Sequence, residues 1–299
     1  HGEYSSFTQS HSIYEGSGPS KITMLIGAHI SIAGGVVEAP KRARDVGCEV
    51  FQMFTRSPQG GPAPKITDEI AKAFRKTCEQ YQLERVVVHT PYFINFGSAE
   101  KRIYHGSSQV IRQELDRSSL LGVEYVMTHL GSGKDLGNGE AVKQTIKGLK
   151  EALKDYDGST ELLIENSAGA GAIIGDEFEE IAAILNAVNH KKFTGVCLDT
   201  CHTFTSGYDL RTPESVEKTF RLFDQTIGLE RLKWMHLNDS KAELGDHKDR
   251  HEHIGKGFIG LEGFRAIVNN PKLKKTGGVV ETPPEGQADD IATLKSLRK

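Results

Sequence analysis

Eight short apolar runs, each closed by Gly or a polar residue and followed by a longer stretch of helical periodicity, predict one α/β domain built as a closed (β/α)8 barrel. Three observations carry that expectation. A chain of 299 residues fits one such barrel. No low-complexity linker and no 20- to 50-residue repeat beyond the β/α alternation interrupts residues 24–299. Nearly every apolar run ends on His, Asp or Glu, and in a barrel those ends share one rim.

The eight predicted strands are MLIG from Met24, VFQMF from Val50, RVVV from Arg85, VEYVMT from Val123, ELLI from Glu161, GVCL from Gly195, LKWM from Leu232 and GGVV from Gly277. Between them, segments 68–81, 108–122, 140–156, 176–188 and 213–228 place apolar residues at three- and four-residue steps with charge on the remaining faces, the pattern of helices packed against a barrel. Residues 1–23 are polar and rich in Gly and Ser, and are expected to be a flexible extension or tag before the domain at 24–299. No apolar stretch reaches the length of a membrane span, so a soluble chain is expected, with no membrane partner. The four cysteines, Cys48, Cys78, Cys197 and Cys201, form no CxxC pair and are read as buried, inert thiols in a reduced compartment.

A formal net charge of -3 argues weakly against a nucleic-acid partner, because phosphate binding draws on clustered Lys and Arg. Bound metal ions remove that objection. The strand-end residues are His29, His89, His129, Glu165, Asp199 with His202, His236 and Glu281. One histidine at a strand end is ordinarily hydrogen-bonded structure; seven of eight ends behaving alike point to a metal cluster. The later segment KDRHEHIG adds Asp249 and His251, which face one way in an extended chain. Imidazole and carboxylate without thiolate are the donors of hydrolytic zinc and manganese sites. Five histidines (His89, His129, His202, His236, His251) and four carboxylates (Glu165, Asp199, Asp249, Glu281) exceed what one tetrahedral ion uses. Three divalent ions against four carboxylates leave a site of about +2, attractive to a phosphodiester.

These residues lie in longer motifs: IGAHISIAGG at Ile26, ENSAGAG at Glu165, GVCLDTCHTFTSGYDLRTP at Gly195, HLNDSK at His236, DRHEHIGKGFIG at Asp249 and ETP at Glu281. In that order they resemble the endonuclease IV family of apurinic/apyrimidinic (AP) endonucleases, over essentially all of 24–299. The resemblance implies three zinc ions, with manganese or iron suiting the same donors. It implies that Glu165 bridges two ions, that His89 and His129 complete one of them, that Asp199, His236 and Glu281 hold the other, and that His202, Asp249 and His251 take the third. His29 matches a family motif without being a ligand, and is expected to support those that are.

The activity so implied is hydrolysis of double-stranded DNA 5′ to an abasic site, giving a 3′-hydroxyl and a 5′-deoxyribose phosphate, with removal of blocked 3′ ends as a second activity. Glu165 or Glu281 would orient or deprotonate the attacking water. Tyr92 and Phe93 in HTPYFIN suit an aromatic wedge into the base stack, with ordinary packing as the competing reading. Arg250 suits phosphate contact or an internal ion pair, and Lys256 phosphate contact or a plain Gly turn. The loop RSPQGGPAPK offers Arg56, Gln59 and Lys65 around a Gly- and Pro-rich centre where relatives carry Arg, Gln or Trp, which implies weaker binding or an altered lesion preference without loss of the metal chemistry. A monomer is expected, cytoplasmic and nucleoid-associated in a prokaryote, in an organelle or nucleus in a eukaryote. Two rival functions stand beside this one: a metal-dependent sugar isomerase or epimerase on the same kind of barrel, and a non-catalytic DNA-binding scaffold.

Overall fold

The computed structural model of the chain describes residues 23–299, so the expected extension lies outside the described residues but for its last. Each predicted run forms a barrel strand: β1 (Leu25–Ile30), β2 (Val50–Met53), β3 (Arg85–His89), β4 (Tyr125–Thr128), β5 (Glu161–Glu165), β6 (Phe193–Asp199) and β7 (Leu232–His236). A two-residue antiparallel ribbon, β8 (Asp239–Ser240) with β9 (His251–Glu252), precedes the last barrel strand, β10 (Gly277–Val280). β10 pairs with β7 and returns to β1, so the eight parallel strands close. No described helix is long and apolar enough to cross a membrane.

Strand side chains alternate in direction, so residues two apart share a face. Inward positions therefore form layers. Val50, Val87, Met127, Leu163, Cys197, Trp234 and Val279 pack with Tyr125 as an apolar plug inside the barrel. Gly277 leaves room for the Trp234 ring, which any Cβ there would strike. Two residues further along the same strands stand Gln52, His89, His129, Glu165, Asp199, His236 and Glu281. The plug thus carries a polar layer on top, at the C-terminal ends of the strands.

The expected helices are α2 (Asp68–Gln80), α3 (Lys101–Leu121), α4 (Asn138–Leu153), α5 (Phe178–Val188) and α7 (Pro213–Thr226), α3 starting seven residues before the predicted segment. Thr212 opens α7 with a capping box to Ser215, Pro213 following at N1. Four helices lie outside the expected set: α1 (Ala39–Asp45), α6 (Thr200–Thr205), α8 (Gly260–Val268) and α9 (Gln287–Leu297). All six residues of α6 are buried, and the buried face of α9 sets Gln287 and Asp290 ahead of Ile291, Leu294 and Leu297, so neither shows an unbroken apolar stripe.

Glu49 ties the first strand to the end of the chain. Its carboxylate accepts from Ile26 N–H at 2.8 Å and from both Arg298 nitrogens at 3.0 Å. Burial raises its pKa, but the Arg298 and Ile26 bonds outweigh burial and hold it below its ordinary 4.5. A carboxylate depressed on folding adds stability above its unfolded pKa, and that stability is lost as pH falls through the folded value. Glu49→Gln is expected to cost about 1 kcal/mol at pH 7, discounted for partial exposure, and progressively less below pH 4.5. Urea midpoints across that range check it; an equal deficit at pH 3 and pH 7 would contradict it.

Candidate metal centre at the barrel rim

The polar layer is built on one carboxylate. Glu165, fully buried at the end of β5, lies 2.7 Å from His89 Nε2, 3.4 Å from His129 Nε2, 2.8 Å from His236 Nδ1 and 3.7 Å from His202 Nδ1. Burial opposes its charge, yet His129, His236 and His89 hold its pKa well below the ordinary carboxylate range. The outer atoms of the imidazoles are fixed separately. His89 Nδ1–H donates to Thr90 O at 2.6 Å, which aims Nε2 at Glu165. His236 Nε2 meets Gln52 Oε1 at 2.7 Å, which aims Nδ1 inward.

Asp199 and His202, three residues apart, are set by a helix start. Asp199 is the N-cap of α6, its Oδ1 accepting from His202 N–H at 2.8 Å. The first turn of α6 therefore points His202 into the centre, where its Nδ1 meets Asn166 O at 2.9 Å and leaves Nε2 outward. Asp249 Oδ1 lies 3.3 Å from that Nε2 and 3.2 Å from His251 Nε2, and the two imidazole nitrogens stand 3.5 Å apart. Burial opposes protonation of His202, but Asp199 and Asp249 push its pKa to about 10.

All nine predicted ligands come together, and their ligating atoms fall into three groups: His89, His129 and Glu165; Glu165, Asp199, His236 and Glu281; His202, Asp249 and His251. No Lys or Arg among the described residues pairs with Glu165, Asp199, Asp249 or Glu281. Burying Glu165 and Asp199 without a fixed cation is costly, and at the third position two imidazole nitrogens and a carboxylate oxygen converge within 3.5 Å of one another. Both features fit divalent cations held by nitrogen and oxygen. His129 Nδ1 is buried without a hydrogen-bond partner. Cys201 also lies near Asp199 and His251, but its thiol is directed at Arg250 O at 3.6 Å and burial raises its pKa to about 12. Cys197 packs in the apolar plug, and Cys78 is buried as expected, while Cys48 is only half-buried.

Three amides that sequence reasoning did not single out hold the ligands. Gln52, fully buried on β2, donates through Nε2 to Glu281 Oε1 at 2.6 Å and to His29 Nδ1 at 2.8 Å. That second bond defines His29, which stands 3.9 Å from Glu281 and whose pKa burial lowers to about 4. Asn238 donates to Asp199 Oδ2 at 2.7 Å and accepts from Glu281 N–H at 2.7 Å. Asn166 Oδ1 accepts from Asp199 N–H at 2.7 Å. The available signal was positional: Gln52 follows an inward apolar residue by two, as the ligands do.

Above the centre a cleft of about 650 Å³ is bounded by Ser31, Phe54, Pro58, Tyr92, Pro284 and Gln287. Tyr92 is 69% exposed on its lip, edge-on to Phe54 at 5.4 Å, and Phe93 beside it is 41% exposed. Arg250 and Lys256 are exposed, the Arg250 guanidinium donating to Asp249 O at 2.8 Å. Arg56 lines the cleft but is not the free cation expected for DNA contact. It is buried against the fully buried Glu114 at 2.6 Å, with a second bond to Gln113 at 2.8 Å, so its fork is used inside the fold.

A family model described as a xylose isomerase-like TIM barrel matches residues 40–297. The chain is 42% identical to the probable endonuclease 4 of Chlorobium phaeobacteroides (strain BS1), over 92% of this chain and 98% of that protein. It is 38% identical to the probable endonuclease 4 of Aquifex aeolicus (strain VF5), over 92% and 97%. Endonuclease IV from Thermus thermophilus superposes with a TM-score of 0.82 at 33% identity, covering 91% of this chain and 98% of that one. A D-tagatose 3-epimerase-like protein superposes at 0.68 with 20% identity, over 92% and 97%, a likeness of fold alone.

Proposed function

The chain belongs to the endonuclease IV family, and on that premise we propose that it cuts double-stranded DNA 5′ to abasic sites with three divalent ions, zinc for preference, leaving a 3′-hydroxyl and a 5′-deoxyribose phosphate. Removal of blocked 3′ ends and action as a cytoplasmic monomer belong to the same reading. The observation that carries it is the convergence of nine nitrogen and oxygen donors on three adjoining positions beneath an open cleft. In that reading Glu165 is shared by two positions, His89 and His129 completing one and Asp199, His236 and Glu281 the other, while His202, Asp249 and His251 form the third. Ions held there supply Lewis-acid polarisation of the phosphodiester and lower the pKa of water from about 16 towards 7.

The residues divide the remaining work. Glu165 is enclosed by imidazoles and serves to fix the positions it joins. Glu281, 18% exposed in its side chain, is the carboxylate of that group that reaches the cleft, and is assigned to orient the attacking water and hold its proton. The exposed Tyr92 and Phe93 are assigned to fill the place of the missing base, as the wedge that keeps the abasic sugar out of the stack, and the exposed Arg250 and Lys256 are assigned to phosphate contact. Tyr92→Ala and Phe93→Ala are each expected to weaken binding of an abasic duplex about 10- to 100-fold with metal content unchanged, from a stacking loss of ~1–3 kcal/mol. Fluorescence anisotropy checks it, and wild-type affinity in both would remove the wedge.

The function is tested with an end-labelled duplex carrying one abasic analogue, with and without prolonged chelation. Chelator-sensitive incision 5′ to the lesion with a 3′-hydroxyl is the expected result. No incision by protein shown to hold three ions would overturn it, and ketose isomerisation by that protein would favour the sugar-isomerase rival.

A further inference from the structure

The C-terminal helix α9 packs on the outside of the barrel, yet its inner face carries a charge. Asp290 is 3% exposed and has no Lys or Arg partner among the described residues. Its Oδ2 accepts from Thr282 Oγ1 at 2.6 Å and from His253 Nδ1 at 2.8 Å, and its Oδ1 accepts from Ile254 N–H at 2.9 Å. One turn earlier Gln287 Nε2 donates to Thr282 O at 2.9 Å and to His29 O at 3.3 Å. Thr282 adjoins Glu281, His253 lies two residues beyond His251, and His29 sits on β1.

A helix that only needed attaching to a barrel would do so with apolar side chains, without the cost of desolvating a carboxylate. Here that cost is offset by three donors drawn from two loops that share no other side-chain bond to a common residue. Those loops carry ligands assigned to different ions: Glu281 to the pair bridged by Glu165, His251 to the third position. We propose that Asp290, with Gln287 beside it, is a positioning residue that fixes the separation between the third ion position and the other two, so that the ion count depends on a side chain that touches no ion. This rests on the three-ion reading above. The effect expected of such an outer partner is a 10- to 100-fold loss in metal affinity or activity, read at one position of three.

The test compares wild type with Asp290→Ala and Asp290→Asn by elemental analysis after dialysis and by the rate of zinc release to a chromophoric chelator. The expected result is three zinc ions in wild type and about two in Asp290→Ala, with one ion released at least tenfold faster. The KM for an abasic duplex should stay near wild type while kcat falls, excess zinc should restore part of the rate, and Asp290→Asn should lie between. Full occupancy and wild-type release in Asp290→Ala, even with a lowered Tm, would show Asp290 to be only a helix anchor and would overturn the proposal. Should Asp290→Ala fail to fold, Thr282→Val removes one donor and is expected to speed release of one ion; unchanged release there counts against the proposal in the same way. Fewer than three ions in wild type would instead sink the three-ion reading.

Discussion

Glu165→Gln is expected to lower abasic-site incision by about 10³-fold or more while leaving a folded barrel. The amide has the size of the carboxylate, and the apolar plug beneath it is untouched. What changes is charge and valence. Glu165 offers two acceptor oxygens to His89, His129 and His236 and joins two of the three donor groups. Glutamine keeps one oxygen and turns an N–H₂ towards an imidazole nitrogen or an ion position. Two positions should therefore empty together, and metal content should fall by more than one ion per chain. Glu281→Gln should behave differently: it leaves Glu165 in place, so metal content should fall by no more than one while turnover drops with little change in duplex affinity. Loss of a single ion from Glu165→Gln, with activity within tenfold of wild type, would remove the bridging role. Wild-type turnover in Glu281→Gln would remove the assignment of water orientation to Glu281.

The legibility of this site follows from the geometry of strands. An inward apolar residue followed two positions later by an inward polar one repeats at Val87 and His89, Leu163 and Glu165, Trp234 and His236, and Val279 and Glu281. Because titratable residues stand out in an apolar run, the candidate donors were visible and the barrel could be predicted from the same signal. Gln52 obeys the same rule at Val50 and went unmarked, since an amide carries no charge to attract notice. Arg56 shows the opposite failure. Its partner Glu114 is 58 residues away on α3, and no local pattern reveals that an arginine in a polar loop turns inward. The helix α9 was hidden by the very residues that give it a role: with Gln287 and Asp290 on its buried face, the apolar periodicity that marks a packed helix is broken.

Prolonged chelation should abolish incision and lower Tm by about 10 °C, and readdition of zinc should restore both. One ion bound by the folded chain alone stabilises it by about 4 kcal/mol when present at a thousand times its Kd, a domain of this size shifts by roughly 2–4 °C per kcal/mol, and a three-ion site loses at least that much. The structure says why the loss should be large here. The donors are held in place by groups that do not depend on an ion: Asn238 and the α6 cap on Asp199, Gln52 on His236 and Glu281, Thr90 on His89. A site assembled in this way cannot relax by letting Glu165 and Asp199 turn to solvent, so the charge left there by departing cations stays confined beneath the cleft. The folded state, rather than the unfolded chain, bears that cost. A site whose ligands were free to swing outward would lose activity on chelation and keep its Tm. Calorimetry with and without chelator separates the two, and an unchanged Tm in protein shown to have lost its ions would mean that the rim is not rigid enough to hold its donors against one another.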